Sequence, residues 1–62
     1  MTHVYKFCIY ANPRGVHGWS AWMNYAAKQG VKYDDRRWFS DDPEVAAKAK
    51  RFGMLVAEVS LV

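Results

Sequence analysis

In the opening stretch "HVYKFCIYA", Tyr5, Phe7, Ile9 and Ala11 hold one parity, while Val4, Lys6, Cys8 and Tyr10 mix on the other. That period of two predicts a strand with one buried face. "NPRG" ends it, with Pro13 at the favoured second position of a turn and Gly15 closing it. After Gly18 the period changes. Trp19, Trp22, Met23 and Ala26 fall at i, i+3, i+4 and i+7, opposite Ser20, Asn24 and Lys28, and Gly30 stands where a helix would stop. The same stretch can be threaded as a hairpin strand, with Trp19, Ala21, Met23 and Tyr25 on one face and Trp22 opposite. The alanine and lysine content of "YAAKQG" favours the helix.

In "VKYDDRRWFS", Tyr33 and Asp34-Asp35 read as a loop, and "RRWFS" as a short strand with Trp38 on one face and Arg37 and Phe39 on the other. "DDPEVAAKAKRFG" carries the marks of a helix. Asp41 or Asp42 caps it, Pro43 occupies the first turn, Glu44 lies near the positive end of the dipole, and Lys48, Lys50 and Arg51 near the negative end. Val45, Ala49 and Phe52 would form its buried stripe, with Ala46 beside it and Gly53 as the stop. In "MLVAEVSLV" the alternation returns, and Leu55, Ala57, Val59 and Leu61 are expected to share the inward face. The resulting order predicts an α+β domain spanning residues 1–62. It would be a small sheet of two to four strands with one or two short helices packed on one face.

Size sharpens this picture. A chain of 62 residues buries only about 60% of the surface its unfolded form exposes. A single core at this length rarely supplies more than roughly 3–5 kcal/mol, so small domains commonly lean on disulfides, metals or self-association. One cysteine, Cys8, rules out an intramolecular disulfide and fits a reducing, cytoplasmic setting. His3, Cys8 and His17 lack the paired spacing of a zinc site, so no metal and no other cofactor is expected. No apolar run approaches the ~18 residues of a membrane span, and the start does not read as a cleavable export signal. Nine Lys and Arg against six Asp and Glu permit a polyanionic partner without forming a dense basic stripe.

Candidate chemistry is sparse. Cys8 with His3 or His17 names the residue types of a nucleophile and base, but a strand-borne Cys8 reads more simply as a small packed side chain. Asp41, Asp42 and Glu44 are explained by a helix start, and Asp34-Asp35 before Arg36-Arg37 by a solvated loop of mixed charge. Gly15-x-x-Gly18 meets no phosphate-loop pattern. A chain this short is also expected to have little room for a ligand-sized cleft of ~300–1,000 Å³. An enzyme is therefore not expected.

What remains is aromatic content. Phe, Trp and Tyr make up 16% of the chain, and each ring buries on the order of 150–250 Å² when enclosed. A core of this size cannot take all of them, so some should reach the surface, where Trp, Tyr and Arg concentrate at interface centres. The candidate partner-binding set is Trp19, Trp22, Tyr25, Tyr33 and Trp38, with Arg14, Arg36 and Arg37 fixing orientation. The expected partner is a protein, either a second copy or a larger complex. The alternative is a nucleic-acid-binding regulator using "RRWF", "NPRG" and "KAKR" for phosphate contacts and stacking.

The pattern "RRWFS…PEVAAKAKRFG…VAEVSLV", residues 36–62, resembles the ending of many small phage and prophage proteins. The resemblance implies a small viral accessory protein that binds and occludes a host or defence complex. It brings no catalytic residues.

Overall fold

The computed structural model describes residues 4–59. Six elements follow one another: β1 (Phe7–Tyr10), α1 (Trp19–Gln29), β2 (Lys32–Asp34), β3 (Arg37–Ser40), α2 (Pro43–Arg51) and β4 (Leu55–Glu58). The four strands form one antiparallel sheet in the order β2-β3-β1-β4. This is the split β-α-β arrangement, in which each helix connects two strands separated by a third. The α+β reading holds, with both helices contributing to a single core. The hairpin alternative after Gly18 is not adopted.

Cross-strand partners share a face of the sheet. Ile9 lies opposite both Trp38 and Val56, and Trp38 opposite Tyr33, so these four point toward the helices. Cys8, Tyr10, Arg37, Phe39, Leu55 and Ala57 lie on the other face by the same registers. Ile9, Trp38 and Met54 meet Trp22 and Ala26 of α1 and Val45 and Ala49 of α2 in one buried cluster.

Two expectations are corrected by these registers. Tyr33 and Asp34 are not loop residues: they pair with Trp38 and Arg37 as part of β2. A strand of three exposed residues at the sheet margin carries too little apolar pattern to announce itself. In β4 the inward residue is Val56, while Leu55 and Ala57 take the opposite face, and Leu61 lies outside the described residues. Both parities of "MLVA" are apolar, so alternation could not choose between them; pairing with β1 did.

Both helices end in the same way. After α1, the Gly30 N–H donates to the Ala27 carbonyl and the Val31 N–H to that of Ala26. After α2, Gly53 donates to Lys50 and Met54 to Ala49. These are Schellman closures, with Gly30 (φ 66°) and Gly53 (φ 95°) in the conformation that favours glycine. At the start of α2, the Asp42 carboxylate accepts the Glu44 N–H at 2.9 Å, and the Ser40 hydroxyl accepts the Asp42 N–H at 3.0 Å. This selects Asp42 over Asp41 as the cap. The Asp41 carboxylate instead accepts the Lys6 N–H at 2.8 Å, tying the segment before β1 to the β3–α2 connection.

α1 begins on Gly18, which offers no capping side chain. Its entry is fixed by α2 instead. The Gly18 N–H donates to the Phe52 carbonyl at 2.9 Å, and His17 Nε2 donates to the Arg51 carbonyl at 3.0 Å. The fit is close: a Cβ on Gly18 would stand 2.9 Å from the Phe52 Cβ, and one on Gly53 would stand 2.8 Å from His17 Nδ1. Gly18→Ala should therefore lower stability by about 1–3 kcal/mol, the usual range for overpacking, read as a lower denaturant midpoint with unchanged slope.

The β2–β3 hairpin turns on Asp35 (φ 50°) and Arg36 (φ 63°). Two central residues at positive φ mark a type I′ turn, which prefers Asn-Gly. Holding Arg36 there costs about 1 kcal/mol. The double change Asp35→Asn, Arg36→Gly is expected to raise thermal stability by a comparable amount, measured by calorimetry.

Candidate functional site

An apolar concavity lies between α1 and β2. It measures about 440 Å³ and is lined by Met23, Ala26, Ala27 and Gly30 on the helix side, Val31 at the connection, and Tyr33 and Trp38 on the sheet. As an open groove it falls within the ~300–1,000 Å³ range of ligand sites, more than the little room expected of so short a chain, though it is not an enclosed cleft. Its origin is local. Trp22 fills the space between α1 and the sheet, edge-on to Trp38 at 5.7 Å, whereas one turn later the helix presents only Ala26, Ala27 and Gly30. Bulk at one end of α1 and small residues at the other leave a gap.

Around the gap the aromatic side chains divide. Trp22 is fully buried and Trp38 is 5% exposed, so these two candidates are core residues. Trp19 and Met23, each 43% exposed, and Tyr33, 55% exposed, face water. Trp19 meets Trp38 at 5.9 Å in an edge contact, and Tyr33 lies 4.6 Å from the same ring. Trp38 is thus the floor on which both exposed rings rest. Tyr25 sits elsewhere, half-buried in the α1–α2 seam between Trp22 and Phe52. Burial raises the Tyr25 phenol above its ordinary pKa of 10.0, and the Glu44 and Asp42 carboxylates push it the same way.

The arginines do not gather at the groove. Arg14 lies in the Asn12–Gly15 turn, where its N–H donates to the Asn12 side chain. Arg36 is part of the hairpin turn, and Arg37 lies on the sheet face away from the helices. The five candidate rings are thus linked through Trp22 and Trp38, with Trp19 and Tyr33 the two that are exposed, Tyr33 and Trp38 the two that line the groove, and the arginines apart from it. Met23 also lines the groove and is absent from the candidate set. Its signal is present in the sequence, since it stands four residues after Trp19 on the helical stripe that carries both Trp19 and Trp22.

The groove can offer apolar area and ring stacking. Its only titratable lining group is the Tyr33 phenol, so it presents no acid–base pair. No group of three or more His, Cys, Asp or Glu able to hold a metal ion occurs among the described residues, and His3 lies outside them. Cys8 is half-buried on the sheet face away from the helices, opposite Phe39 and Ala57, while His17 is engaged with Arg51. No helix among the described residues is long and apolar enough to cross a membrane. A smaller concavity of about 220 Å³ lies where Tyr5, Val31, Phe39 and Asp42 converge. No family model matches the chain, and no curated protein or solved structure matches it significantly.

The division into floor and rim makes a prediction. Trp22→Ala or Trp38→Ala should cost about 3–5 kcal/mol, as much as a domain this small possesses, and leave the chain largely unfolded by circular dichroism. Trp19→Ala and Tyr33→Ala should keep the native spectrum and cooperative melting.

Proposed function

We propose that this chain is a non-enzymatic interaction protein that seats a protein partner in the groove between α1 and β2. The observation that carries the reading is the exposure of Trp19, Met23 and Tyr33 around the buried ring of Trp38. Leaving three large apolar side chains in water is unfavourable for the isolated chain, at about 25 cal/mol per Å², and covering them on binding recovers that energy. Trp and Tyr are also the residue types that dominate interface hot spots. Because two of the rings already rest on a rigid floor, little side-chain ordering remains to be paid on association. β2 lies at the margin of the described sheet and adds an open strand edge to the same surface. The resemblance of residues 36–62 to small phage and prophage proteins supports an accessory role exercised through protein docking.

A photo-crosslinking aromatic residue at position 33, introduced in the native cell, tests this reading. An adduct with a protein is expected at 33 and not at Lys50, exposed on α2, and Trp19→Ala should reduce it by at least tenfold, the effect of losing one anchor. Absence of any protein adduct at 33 would sink the proposal.

One observation favours a second reading, binding of single-stranded nucleic acid. On the sheet face away from the helices, Tyr10 lies opposite Arg37 and Phe39 opposite Lys32, an alternation of rings and cations across β1, β3 and β2. Such a face could stack bases and contact phosphates. Retention of a short oligonucleotide at low salt, weakened by Tyr10→Ala, is the expected result; no retention ends that reading.

A further inference from the structure

We propose that the groove's partner is a second copy of this chain, joined antiparallel through β2 about a two-fold axis at Tyr33. The inference rests on reading the groove as a docking surface, and it deepens that reading by naming the occupant.

Backbone geometry comes first. Asp34 and Arg37 flank a two-residue turn, and in such a hairpin the flanking residues exchange both hydrogen bonds. Bonded and non-bonded pairs alternate, so Tyr33, opposite Trp38, turns its N–H and carbonyl away from β3. These groups lie on the open margin of the sheet among the described residues. A second β2 strand centred on Tyr33 would take both, each Tyr33 N–H donating to the carbonyl of the other copy's Tyr33.

Charge then selects the register. Lys32 and Asp34 flank Tyr33 and share the face away from the helices. Centring the pair on Tyr33 sets each Lys32 opposite an Asp34 of the other copy, two attractive pairs related by the axis. Sliding by one pairing step sets Lys32 against Lys32 or Asp34 against Asp34, and like charges directly opposite are destabilising. The sequence Lys-Tyr-Asp is therefore complementary to its own reverse in that one alignment. On the helix side, the same alignment places the two Tyr33 rings side by side at the mouths of both grooves. This covers the most exposed large apolar side chain of the chain's described part. It would join two four-stranded sheets into one of eight strands.

The test uses the full chain and its charge variants in sedimentation velocity over a wide concentration range. The wild type is expected to dimerise. Lys32→Asp alone and Asp34→Lys alone should each weaken dimerisation by about tenfold or more, since each replaces two attractive pairs by two repulsive ones. An equimolar mixture of these two variants should restore a dimer. In it the introduced aspartate of one chain faces the introduced lysine of the other, and the remaining native Asp34 faces the remaining native Lys32. The double swap should dimerise by itself. Circular dichroism of each variant separates loss of pairing from loss of fold, and recovery in the mixture could not come from unfolded chains. A wild type that stays monomeric at every concentration, a dimer indifferent to the reversals, or a mixture that fails to reassemble would each overturn the proposal. A position-33 adduct with a different protein would overturn self-pairing while leaving the groove a docking site; absence of any adduct would remove the groove reading itself.

Discussion

Edge-on contact between Trp22 and Trp38, at 5.7 Å, is the interaction on which the rest of this small structure depends. Trp38 lies on an inner strand, flanked across the sheet by Ile9 and Tyr33, and Trp22 is the largest fully buried side chain of α1. Edge-to-face packing suits the ring quadrupoles and adds about 0.5–1.5 kcal/mol beyond the area buried. It also has a geometric cost. Two indoles between helix and sheet act as a spacer, and the small residues in the last turns of α1 cannot fill the space beside them. The groove is thus a consequence of how the core is filled, and Trp38 serves as the interior of one and the floor of the other. One strain remains: the Trp22 indole N–H is buried without an acceptor among the described residues, a deficit on the order of 1–3 kcal/mol that packing must outweigh.

Without a disulfide, the chain fixes its helices to each other through main-chain contacts. The carbonyls of Arg51 and Phe52, which α2 leaves unsatisfied at its end, accept from His17 and from the first residue of the α1 entry. Glycine at positions 18 and 53 lets the two backbones come this close. Tyr25 and Phe52 close the same seam from the side, with rings 6.2 Å apart. An apolar groove can therefore lie beside α1 while its first turn stays anchored.

Position within the sheet decides what the groove adjoins. It opens beside β2, the strand at the margin, so one partner could cover exposed rings and satisfy open backbone groups together. The uncovered sheet face, where Tyr10, Arg37, Phe39 and Lys32 alternate, is chemically distinct from it. The fold thus presents an apolar, ring-bounded surface on the helix side and a mixed aromatic and basic one on the other.

Local signals in the sequence determined both helices and the two inner strands. Asp42 and Pro43 opened α2, Gly30 and Gly53 stopped the helices, and "NPRG" turned the chain, because capping and positive φ depend on a few adjacent residues. That more aromatic surface existed than the core could hide was also legible from length and composition. Which rings stayed outside was not: Trp19, Trp22 and Met23 share one helical stripe, and only the placement of Trp38 beneath that stripe decided that Trp22 goes in while its neighbours remain on the rim. The inward parity of β4 and the existence of β2 were likewise decided by pairing with distant strands. Periodicity along the chain records what each residue prefers, whereas strand register and helix placement are relations between segments far apart in sequence, and the groove exists only where those relations meet.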